Sequence, residues 1–261
     1  MDNRIWEVVR RIEESQALVV LTGAGVSTDS GISDFRSPDG LYSRWDRNLV
    51  FNIDYFHQDP TYFYRFAKEE LYRFDSIEPN VTHRLLALLE SEGYLKMLIT
   101  QNIDGLHQKA GTRAIIELHG GVSQGHCQKC GKAVPAERIK EAIARAPVAR
   151  CEACGGLVKP DVIFFGEALD TSNMENAFYW SRKADVFLVL GSSLQVYPAG
   201  YLPEVAKRSG AYLAIVDQQD TAQDDIADRK LVMPLRDFSE ALYGVFSSPD
   251  YPKTDRGDRF K

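Results

Sequence analysis

Short runs of consecutive apolar residues constrain the fold of this 261-residue chain more than any other feature. The strong runs lie at residues 18–21, 95–99, 162–165, 186–190 and 212–216, and a weaker run lies at 114–118. Runs without apolar–polar alternation indicate strands that are buried on both faces, as in parallel sheets. Segments with helical spacing of apolar residues, such as 82–90 and 198–207, lie between several of them. The pattern therefore predicts an α/β fold with a doubly wound parallel sheet.

Two segments interrupt this pattern. Residues 39–76 are rich in aromatic and charged side chains without a strand pattern, and residues 123–159 hold all four cysteines. We interpret them as a helical insertion and a zinc-binding insertion that together form a smaller lobe. The larger, nucleotide-binding lobe then comprises residues 1–38, 77–122 and 160–246. Residues 247–261 contain few apolar side chains, so we predict a flexible tail there.

Composition and charge exclude several classes of protein. The chain is 44% hydrophobic and 26% charged, as ordinary globular proteins are, and its net charge of −6 argues against nonspecific binding to nucleic acid. No apolar run approaches the roughly 20 residues of a membrane span, and no apolar stretch follows the first residues as in a secretory signal. We therefore expect a cytoplasmic protein without a nucleic-acid or membrane partner.

The four cysteines form two Cys-x2-Cys pairs that are separated by 20 residues. They are Cys127, Cys130, Cys151 and Cys154. Two such pairs can present four thiolates tetrahedrally, so the spacing predicts one structural Zn²⁺ per chain. Four thiolates leave no coordination position for water, and we interpret the neighbouring His126 as a bystander. Two redox-active dithiols or two disulfides are the alternative interpretation.

A glycine-rich turn follows the first apolar run. Gly23, Ala24 and Gly25 give it the G-x-G pattern that lets a backbone approach a pyrophosphate, but Thr28 stands where dinucleotide-binding folds have a third glycine. No acidic residue ends a second strand about 20 residues further on. The turn therefore indicates a nucleotide site, and a tight turn without a binding function is the alternative.

Polar side chains follow several other predicted strands at their carboxyl ends, the edge where open α/β sheets bind ligands. They are Gln101, Asn102, Asp104, His119, Ser192, Ser193 and Asp217. Asp217 is the candidate for an adenosine ribose, since a carboxylate accepts from a 2′-hydroxyl and repels a 2′-phosphate, which favours NAD over NADP. His119 is followed by two glycines, which leave room for other groups, so we predict that it is a general base. We interpret His107 as structural.

Six short motifs occur along the chain together with the cysteine pairs. They are GAGVS at 23–27, GISDFR at 31–36, TQNID at 100–104, ELHG at 117–120, FFGE at 164–167 and GSSL at 191–194. In this combination and order, the chain resembles the sirtuin family of NAD-dependent protein deacylases, and in particular its compact prokaryotic members. The resemblance implies a Rossmann-like lobe, a small zinc-containing lobe, and a cleft between them for NAD and an acyl-lysine peptide.

The resemblance also implies roles for individual residues. His119 and Asn102 would be catalytic. The NAD-binding residues would be Gly23, Ala24, Gly25, Thr28, Phe35 and Arg36 at the phosphates and ribose, Gln101, Asn102, Ile103 and Asp104 at the nicotinamide, and Gly191, Ser192, Ser193, Asp217, Gln218 and Leu235 at the adenosine end. The peptide would add a strand between two segments of the chain. Its contacts would be Ile163, Phe165, Gly166, Glu167, Leu194, Val196 and Tyr197.

The implied reaction is the deacetylation of acetylated-lysine proteins or peptides. NAD is consumed as a co-substrate, and the products are nicotinamide, O-acetyl-ADP-ribose and free lysine. Mono-ADP-ribosylation and the removal of succinyl or longer acyl groups are the alternatives within this family. A noncatalytic NAD-sensing or zinc-ribbon scaffold and a dehydrogenase are alternatives from other classes.

Two positions depart from the family pattern or bear on the acyl group. Asp217 stands where the family usually has asparagine, and both side chains can bind ribose hydroxyls. Tyr62 and Arg65 have the Tyr-x-x-Arg spacing of members that remove succinyl groups, but the expected register places Ala67 and Glu70 at the acyl end instead. A glutamate there would repel a succinyl carboxylate, which favours acetyl as the acyl group.

Overall fold

The computed structural model describes residues 2–249 and 251 of the chain. Its strands are β1 Leu18–Thr22, β2 Leu95–Thr100, β3 Ile115–Glu117, β4 Gly120–Cys127, β5 Ala133–Pro135, β6 Val158–Val162, β7 Val186–Leu190, β8 Tyr212–Val216 and β9 Arg229–Leu231. Six of them form a parallel sheet in the order β3-β2-β1-β7-β8-β9. This sheet, with helices on both faces, confirms the predicted doubly wound α/β class.

Two layers of helices cover the large sheet. The α-helices of the chain are α1 Asn3–Glu14, α2 Arg47–Val50, α3 Ile53–Gln58, α4 Pro60–Glu69, α5 Val81–Ser91, α6 Leu106–Lys109, α7 Ala136–Arg145, α8 Thr171–Lys183, α9 Leu202–Arg208 and α10 Leu235–Phe246. One layer contains α1, α5 and α10, and the other contains α8 and α9. Val20 and Leu188 of the strands belong to the first core, and Val19 and Phe187 belong to the second. Burial on both faces explains why the apolar runs lack polar alternation.

The apolar run at 162–165 does not form a strand of this sheet, so that prediction was wrong. β6 ends at Val162, and it pairs antiparallel with β4 in a separate three-stranded sheet of order β5-β4-β6. Phe164 is buried, and its ring centroid lies 4.9 Å from that of Phe63. An apolar run therefore also arises where a connecting segment packs into a second core.

Residues from both insertions share this second core. Phe51 and Phe66 of the first insertion pack together with Ile139 and Cys127 of the second. Edge-to-face aromatic contacts are frequent, and the rings of Phe51 and Phe66 lie 5.2 Å apart. The aromatic composition of residues 39–76 thus reflects a core, while the division of the chain into lobes at the stated boundaries stays a prediction.

Strand β4 connects the end of β3 to the cysteine region. It begins at Gly120, directly after His119, and it ends at Cys127. Gly120 has a φ of +70°, and a Cβ at this position would collide with the carbonyl oxygen of Asp161 on β6. The close approach of the two strands therefore requires glycine at position 120.

The predicted flexible tail lies mostly outside the described residues. Within them, α10 ends at Phe246, and the ring of Tyr251 lies 5.2 Å from the ring of Phe246. In the part of the chain that the structure describes, none of the helices has the length and apolar character needed to cross a bilayer.

Candidate active site

A cleft of about 820 Å³ lies at the carboxyl ends of the central strands. Most of the residues predicted to bind NAD or peptide line it, namely Gly23, Ala24, Gly25, Thr28, Phe35, Arg36, Gln101, Asn102, Ile103, His119, Ile163, Phe165, Gly166, Glu167, Gly191, Ser192, Ser193, Val196, Tyr197, Asp217, Gln218 and Leu235. Asp104 and Leu194 do not line it. The position of the cleft is the one that open α/β sheets use for ligands.

The glycine-rich turn after β1 packs directly on the turn after β7. The backbone N–H of Gly25 donates to the carbonyl oxygen of Gly191 at 3.0 Å. A Cβ on Gly23 would lie 2.6 Å from the same oxygen, and a Cβ on Gly25 would lie 2.9 Å from Cα of Gly191. The two glycines are therefore required by contact between the two turns, whatever the turn binds. The turn continues into a 3-10 helix, Ala24–Ser30.

His119 follows β3 and faces the cleft. Its Nδ1 lies 3.0 Å from the carbonyl oxygen of Gln101. A carbonyl oxygen can only accept, so Nδ1 carries the proton and Nε2 is the basic nitrogen of the neutral ring. Burial lowers the pKa of His119, and the hydrogen bond to Gln101 partly opposes that shift. The ring is therefore neutral at pH 7 and able to accept a proton through Nε2.

A chain of side-chain hydrogen bonds holds Asn102 at the bottom of the cleft. Its Nδ2 donates to Oγ of Ser27 at 3.2 Å, and Ser27 donates to Oδ2 of Asp104 at 2.6 Å. Asp104 also accepts the backbone N–H of Leu106 at 2.9 Å. Burial raises the pKa of Asp104, and the hydrogen bonds from Ser27 and Leu106 oppose the shift. Asp104 thus lies behind the cleft wall, where it positions Ser27 and, through it, Asn102.

Gln101 and Ser192 link the ends of β2 and β7. Nε2 of Gln101 donates to Oγ of Ser192 at 2.8 Å, and the same oxygen accepts the backbone N–H of Leu194 at 3.3 Å. Leu194 has a φ of +58°, an uncommon conformation for a residue with a side chain, and its side chain is buried. Leu194 therefore shapes the wall from behind while its neighbours line the cleft.

Asp217 follows β8 at the far end of the same edge. Its Oδ1 accepts the backbone N–H of Gln219 at 2.9 Å, and its own N–H donates to the carbonyl oxygen of Leu231 at 3.2 Å. Partial burial raises the pKa of Asp217, against the lowering effect of Lys230. The carboxylate is thus fixed in place by its own backbone turn where Asp217 lines the cleft.

The segment after β6 carries the predicted peptide contacts. The backbone of Phe165 bonds on one side to the helical insertion, through its N–H to Phe51 at 2.7 Å and its carbonyl oxygen to Ile53 at 3.1 Å. The N–H of Glu167 donates to the carbonyl oxygen of Phe164 at 3.0 Å, and Gly166 has a φ of +94°, so the chain turns here and Gly166 lines the cleft. The side chain of Phe165 is 50% exposed and that of Tyr197 is 52% exposed, so two large apolar groups border the opening.

The N-terminal part of α8 also lines the cleft, which the sequence pattern did not predict. The lining residues of the helix are Thr171, Met174, Glu175 and Phe178, and Leu169 lines the cleft just before the helix begins. The helix shows ordinary amphipathic spacing and no motif, so only its position beside β3 gives it this role. Asn173 fixes that position by donating from Nδ2 to the carbonyl oxygen of Glu117 at 3.2 Å.

The structure does not test the expected register of the acyl end, which stays a prediction. Ala67 is fully buried in the aromatic core, and Glu70 pairs with Arg44 at 2.9 Å, so neither residue lines the cleft. Tyr62 and Arg65 do not line the cleft either, and both border a separate groove. The guanidinium of Arg65 lies 5.2 Å from the ring centroid of Tyr62. The Tyr-x-x-Arg spacing thus reflects a local contact along α4.

The four cysteine sulfurs lie within 4.8 Å of one another. The Sγ atoms of Cys127 and Cys154 are 3.5 Å apart, and those of Cys130 and Cys151 are 3.8 Å apart. All four are free thiols, so the disulfide alternative is wrong. Tetrahedral zinc with Zn–S bonds of about 2.3 Å requires sulfurs about 3.8 Å apart. The donor set and its spacing therefore fit a structural zinc ion.

The two cysteine pairs have the same local geometry. The N–H of Gly131 donates to the carbonyl oxygen of Cys127 at 2.9 Å, and the N–H of Gly155 donates to that of Cys151 at 2.8 Å. Both glycines have a φ of +71°, which favours glycine. A Cβ on Gly156 would lie 2.8 Å from Sγ of Cys127. The glycines that follow each pair are thus part of the metal site.

Two other histidines lie where the sequence placed them. Nδ1 of His126 lies 2.7 Å from Oδ1 of Asp161, which leaves the four sulfurs as the candidate ligands. His107 is buried, and its Nε2 lies 3.0 Å from Oγ1 of Thr22. Its ring centroid lies 4.7 Å from that of the buried His83. Both observations agree with a bystander role for His126 and a structural role for His107.

A parallel sheet with a ligand cleft at its carboxyl ends, and a four-cysteine site in a second core, define a zinc-containing α/β protein with a nucleotide-type site. The sequence profile of the Sir2 family matches residues 23–198. The chain therefore belongs to the Sir2 family, which confirms the resemblance to sirtuins.

Individual relatives match nearly the whole chain. The NAD-dependent protein deacetylase of Thermotoga maritima is 44% identical over 239 residues, which cover 92% of this chain and 97% of that protein. A structure of Sir2 with a p53 peptide and NAD⁺ has a TM-score of 0.88 and 42% identity, covering 94% of this chain and 98% of that one. A structure of a Sir2 variant with a deacetylated p53 peptide and 3′-O-acetyl ADP ribose has a TM-score of 0.90 and 42% identity, covering 92% and 97%.

Proposed function

We propose that this protein is an NAD-dependent protein-lysine deacetylase. It converts NAD, an acetyl-lysine side chain and water into nicotinamide, O-acetyl-ADP-ribose and free lysine. The observation that carries the proposal is the fixed tautomer of His119, which holds a basic nitrogen at the cleft. The deacetylase from Thermotoga maritima and the Sir2 structures with NAD⁺ and with an acetylated ADP-ribose support it.

In this proposal NAD binds along the carboxyl ends of the strands. Arg36, the one cationic side chain among the cleft-lining residues described, supplies the charge for the pyrophosphate. Asn102 and Ile103 contact the nicotinamide end, and Ser193 and Asp217 hold the adenosine end. The carboxylate of Asp217 accepts from ribose hydroxyls and repels a 2′-phosphate, so NAD is preferred over NADP.

Nicotinamide leaves from the ribose as a neutral molecule, and an oxocarbenium-like centre develops on the sugar. The acetyl oxygen of the substrate forms a bond to the anomeric carbon as the nicotinamide bond breaks. His119 then takes a proton from a ribose hydroxyl, and the resulting oxygen attacks the imidate carbon. The carbon is then tetrahedral, and its bond to nitrogen breaks as His119 returns the proton to the departing lysine amine. Water adds to the resulting cation and loses a proton to solvent, and the bond from this carbon to the anomeric oxygen breaks, so that the acetyl group stays on the hydroxyl that attacked. The products are O-acetyl-ADP-ribose and free lysine.

The zinc ion has a structural role in this proposal. The four cysteine thiolates would hold it, and its binding would contribute folding free energy to the small sheet. Four sulfur ligands complete the coordination shell, so the reaction depends on the protein side chains of the cleft and not on the metal.

Acetyl is the proposed acyl group, and deacetylation is the proposed main reaction. The acetylated ADP-ribose in the related structure supports deacetylation over ADP-ribosyl transfer. A succinyl group would need a cation at the acyl end, whereas Arg65 lies outside the cleft. A cytoplasmic location belongs to the same proposal, because four reduced cysteines and free NAD are features of a reducing compartment.

Mass spectrometry tests the proposal directly. The purified protein is incubated with NAD and an acetyl-lysine peptide, and the expected products are the deacetylated peptide and O-acetyl-ADP-ribose in equal amounts. Release of nicotinamide without any deacetylated peptide, or the appearance of ADP-ribose attached to protein, would contradict deacetylation as the main reaction.

A further inference from the structure

The wall of the cleft is predominantly acidic. Its charged residues in the described chain are Asp29, Asp34, Arg36, Glu167, Glu175 and Asp217. Two of the acids already have a cationic partner, since Asp29 pairs with Arg236 at 3.0 Å and Glu167 pairs with Lys159 at 2.7 Å. Asp34 and Asp217 are engaged by backbone N–H groups of their own turns. Glu175 differs from them, because no cation or backbone N–H in the described structure binds its carboxylate.

Helix α8 holds Glu175 at the exposed edge of the cleft. Asn173, two residues earlier, is bonded to the carbonyl oxygen of Glu117, and Glu117 precedes His119 by two residues. Met174 is buried and Phe178 is partly buried, whereas Glu175 is exposed. The helix thus presents a strip of apolar side chains to the cleft with a carboxylate at its exposed edge.

The surrounding sequence strengthens the negative charge. Residues 166–181 contain Glu167, Asp170 and Glu175 but no lysine or arginine, and the two basic residues of α8, Arg182 and Lys183, lie in its last turn and do not line the cleft. A pyrophosphate would be repelled by this edge, and Arg36 belongs to the loop after the nucleotide turn, not to α8. The edge formed by α8 is therefore suited to the other substrate of the proposed reaction, the peptide.

We propose that Glu175 binds a lysine or arginine side chain that lies near the acetyl-lysine in the substrate, so that acetyl-lysines in basic segments are preferred. The methylene groups of such a side chain would lie along Met174 and Phe178 while its charged end reaches the carboxylate. This inference rests on the proposed function, and it adds specificity to a peptide site that backbone pairing alone would leave unselective.

A neutral acetyl-lysine peptide and a series of peptides of equal length test it, and each peptide of the series carries arginine in place of one neutral flanking residue. We expect kcat/KM to rise two- to fivefold for at least one arginine position, as is typical of a solvent-accessible ion pair. In Glu175→Gln, which keeps the shape of the side chain, the ratio of kcat/KM for the arginine peptide to that for the neutral peptide should return to about one. High salt should reduce the ratio in the parent protein for the same reason.

Glu240→Gln is the matched control, because Glu240 is exposed on α10 and its loss changes the net charge equally. It should leave the ratio unchanged. An equal ratio in the parent protein and in Glu175→Gln would overturn the inference. Absence of deacetylated product from the neutral peptide would instead contradict the proposed function itself, so the two failures are distinguishable.

Discussion

Nε2 of His107 lies 3.0 Å from Oγ1 of Thr22, below the loop that carries Asn102. Thr22 donates its hydroxyl proton to Oγ1 of Thr100 at 2.8 Å, so His107 must be the donor to Thr22. Oγ1 of Thr100 accepts the backbone N–H of Asn102 at 3.0 Å. One chain of hydrogen bonds thus runs from a buried imidazole to the backbone of a predicted catalytic residue.

Replacing His107 should therefore affect both stability and activity. We expect His107→Ala to lose about 0.5–1.5 kcal/mol of unfolding free energy from the lost hydrogen bond to Thr22, with a further loss from the cavity. Urea unfolding and kcat with an acetyl-lysine peptide measure the two effects. His57→Ala is the matched control, because His57 is exposed on α3. If both variants behaved like the parent protein, the hydrogen-bond chain would have no positioning role.

Removing the imidazole of His119 should abolish most of the proposed catalysis. We expect His119→Ala to lower kcat by roughly 100-fold or more, because a general base contributes about that much. NAD binding, measured by calorimetry, should be largely retained, since the proposed NAD contacts come from several other segments. Turnover at the parent rate would refute the role of His119 as the base.

The buried histidine pair predicts a loss of stability in acid. Burial lowers the pKa of His83 from its ordinary 6.5 to about 4, and it lowers that of His107 as well. The unfolded chain therefore binds protons first as the pH falls, and the stabilisation present above about 6.5 is lost progressively toward pH 4, by up to about 3 kcal/mol for His83. Urea unfolding at a series of pH values measures it. The loss between pH 7 and 5 should be smaller in His83→Gln, and an unchanged loss would contradict this assignment.

Loss of the metal should unfold the small sheet. Elemental analysis should give one zinc per chain, and Cys127→Ser or prolonged chelation should give aggregated or partly unfolded protein, because zinc binding contributes folding free energy. His126→Ala should keep the zinc, since His126 bonds to Asp161 and not to the cluster. A soluble, fully active Cys127→Ser protein would show that the site has no structural role.

Two glycine-to-alanine substitutions should have opposite effects. In Gly25→Ala the added methyl group would meet Cα of Gly191 at 2.9 Å, so we expect a loss of about 1–3 kcal/mol. In Gly244→Ala the methyl group meets nothing within 4 Å, and the exposed helical position should gain up to about 1 kcal/mol. Thermal or urea unfolding compares the two. Equal effects would show that contact between the two turns does not restrict position 25.

The sequence was sufficient for features that depend on spacing. The strands of the large sheet other than β9 are apolar because helices cover both of its faces, and the cysteine pairs have the spacing that four zinc ligands require. The polar residues at strand ends converge because parallel strands end at the same edge. These patterns are set by local geometry, so they could be recognised without coordinates.

Features that depend on contacts between distant segments could not be predicted in this way. The run at 162–165 is apolar because Phe164 fills the aromatic core, and no sequence pattern distinguishes that from a strand. β9 has three residues, of which Arg229 and Lys230 are charged, so it lacks an apolar signal. Glu70 faces Arg44, and Glu175 faces the cleft, only because of how α4 and α8 are placed.

The single strand β4 starts next to the imidazole at position 119 and finishes at a sulfur ligand of the cluster. Its first and last residues are both tied to β6, through Gly120 with Val162 and Cys127 with Val158. The eight residues of β4 therefore connect the cysteine cluster directly to His119. We therefore expect oxidation of the cysteines to displace this strand and to lower turnover, although four thiolate ligands leave the metal no position for substrate.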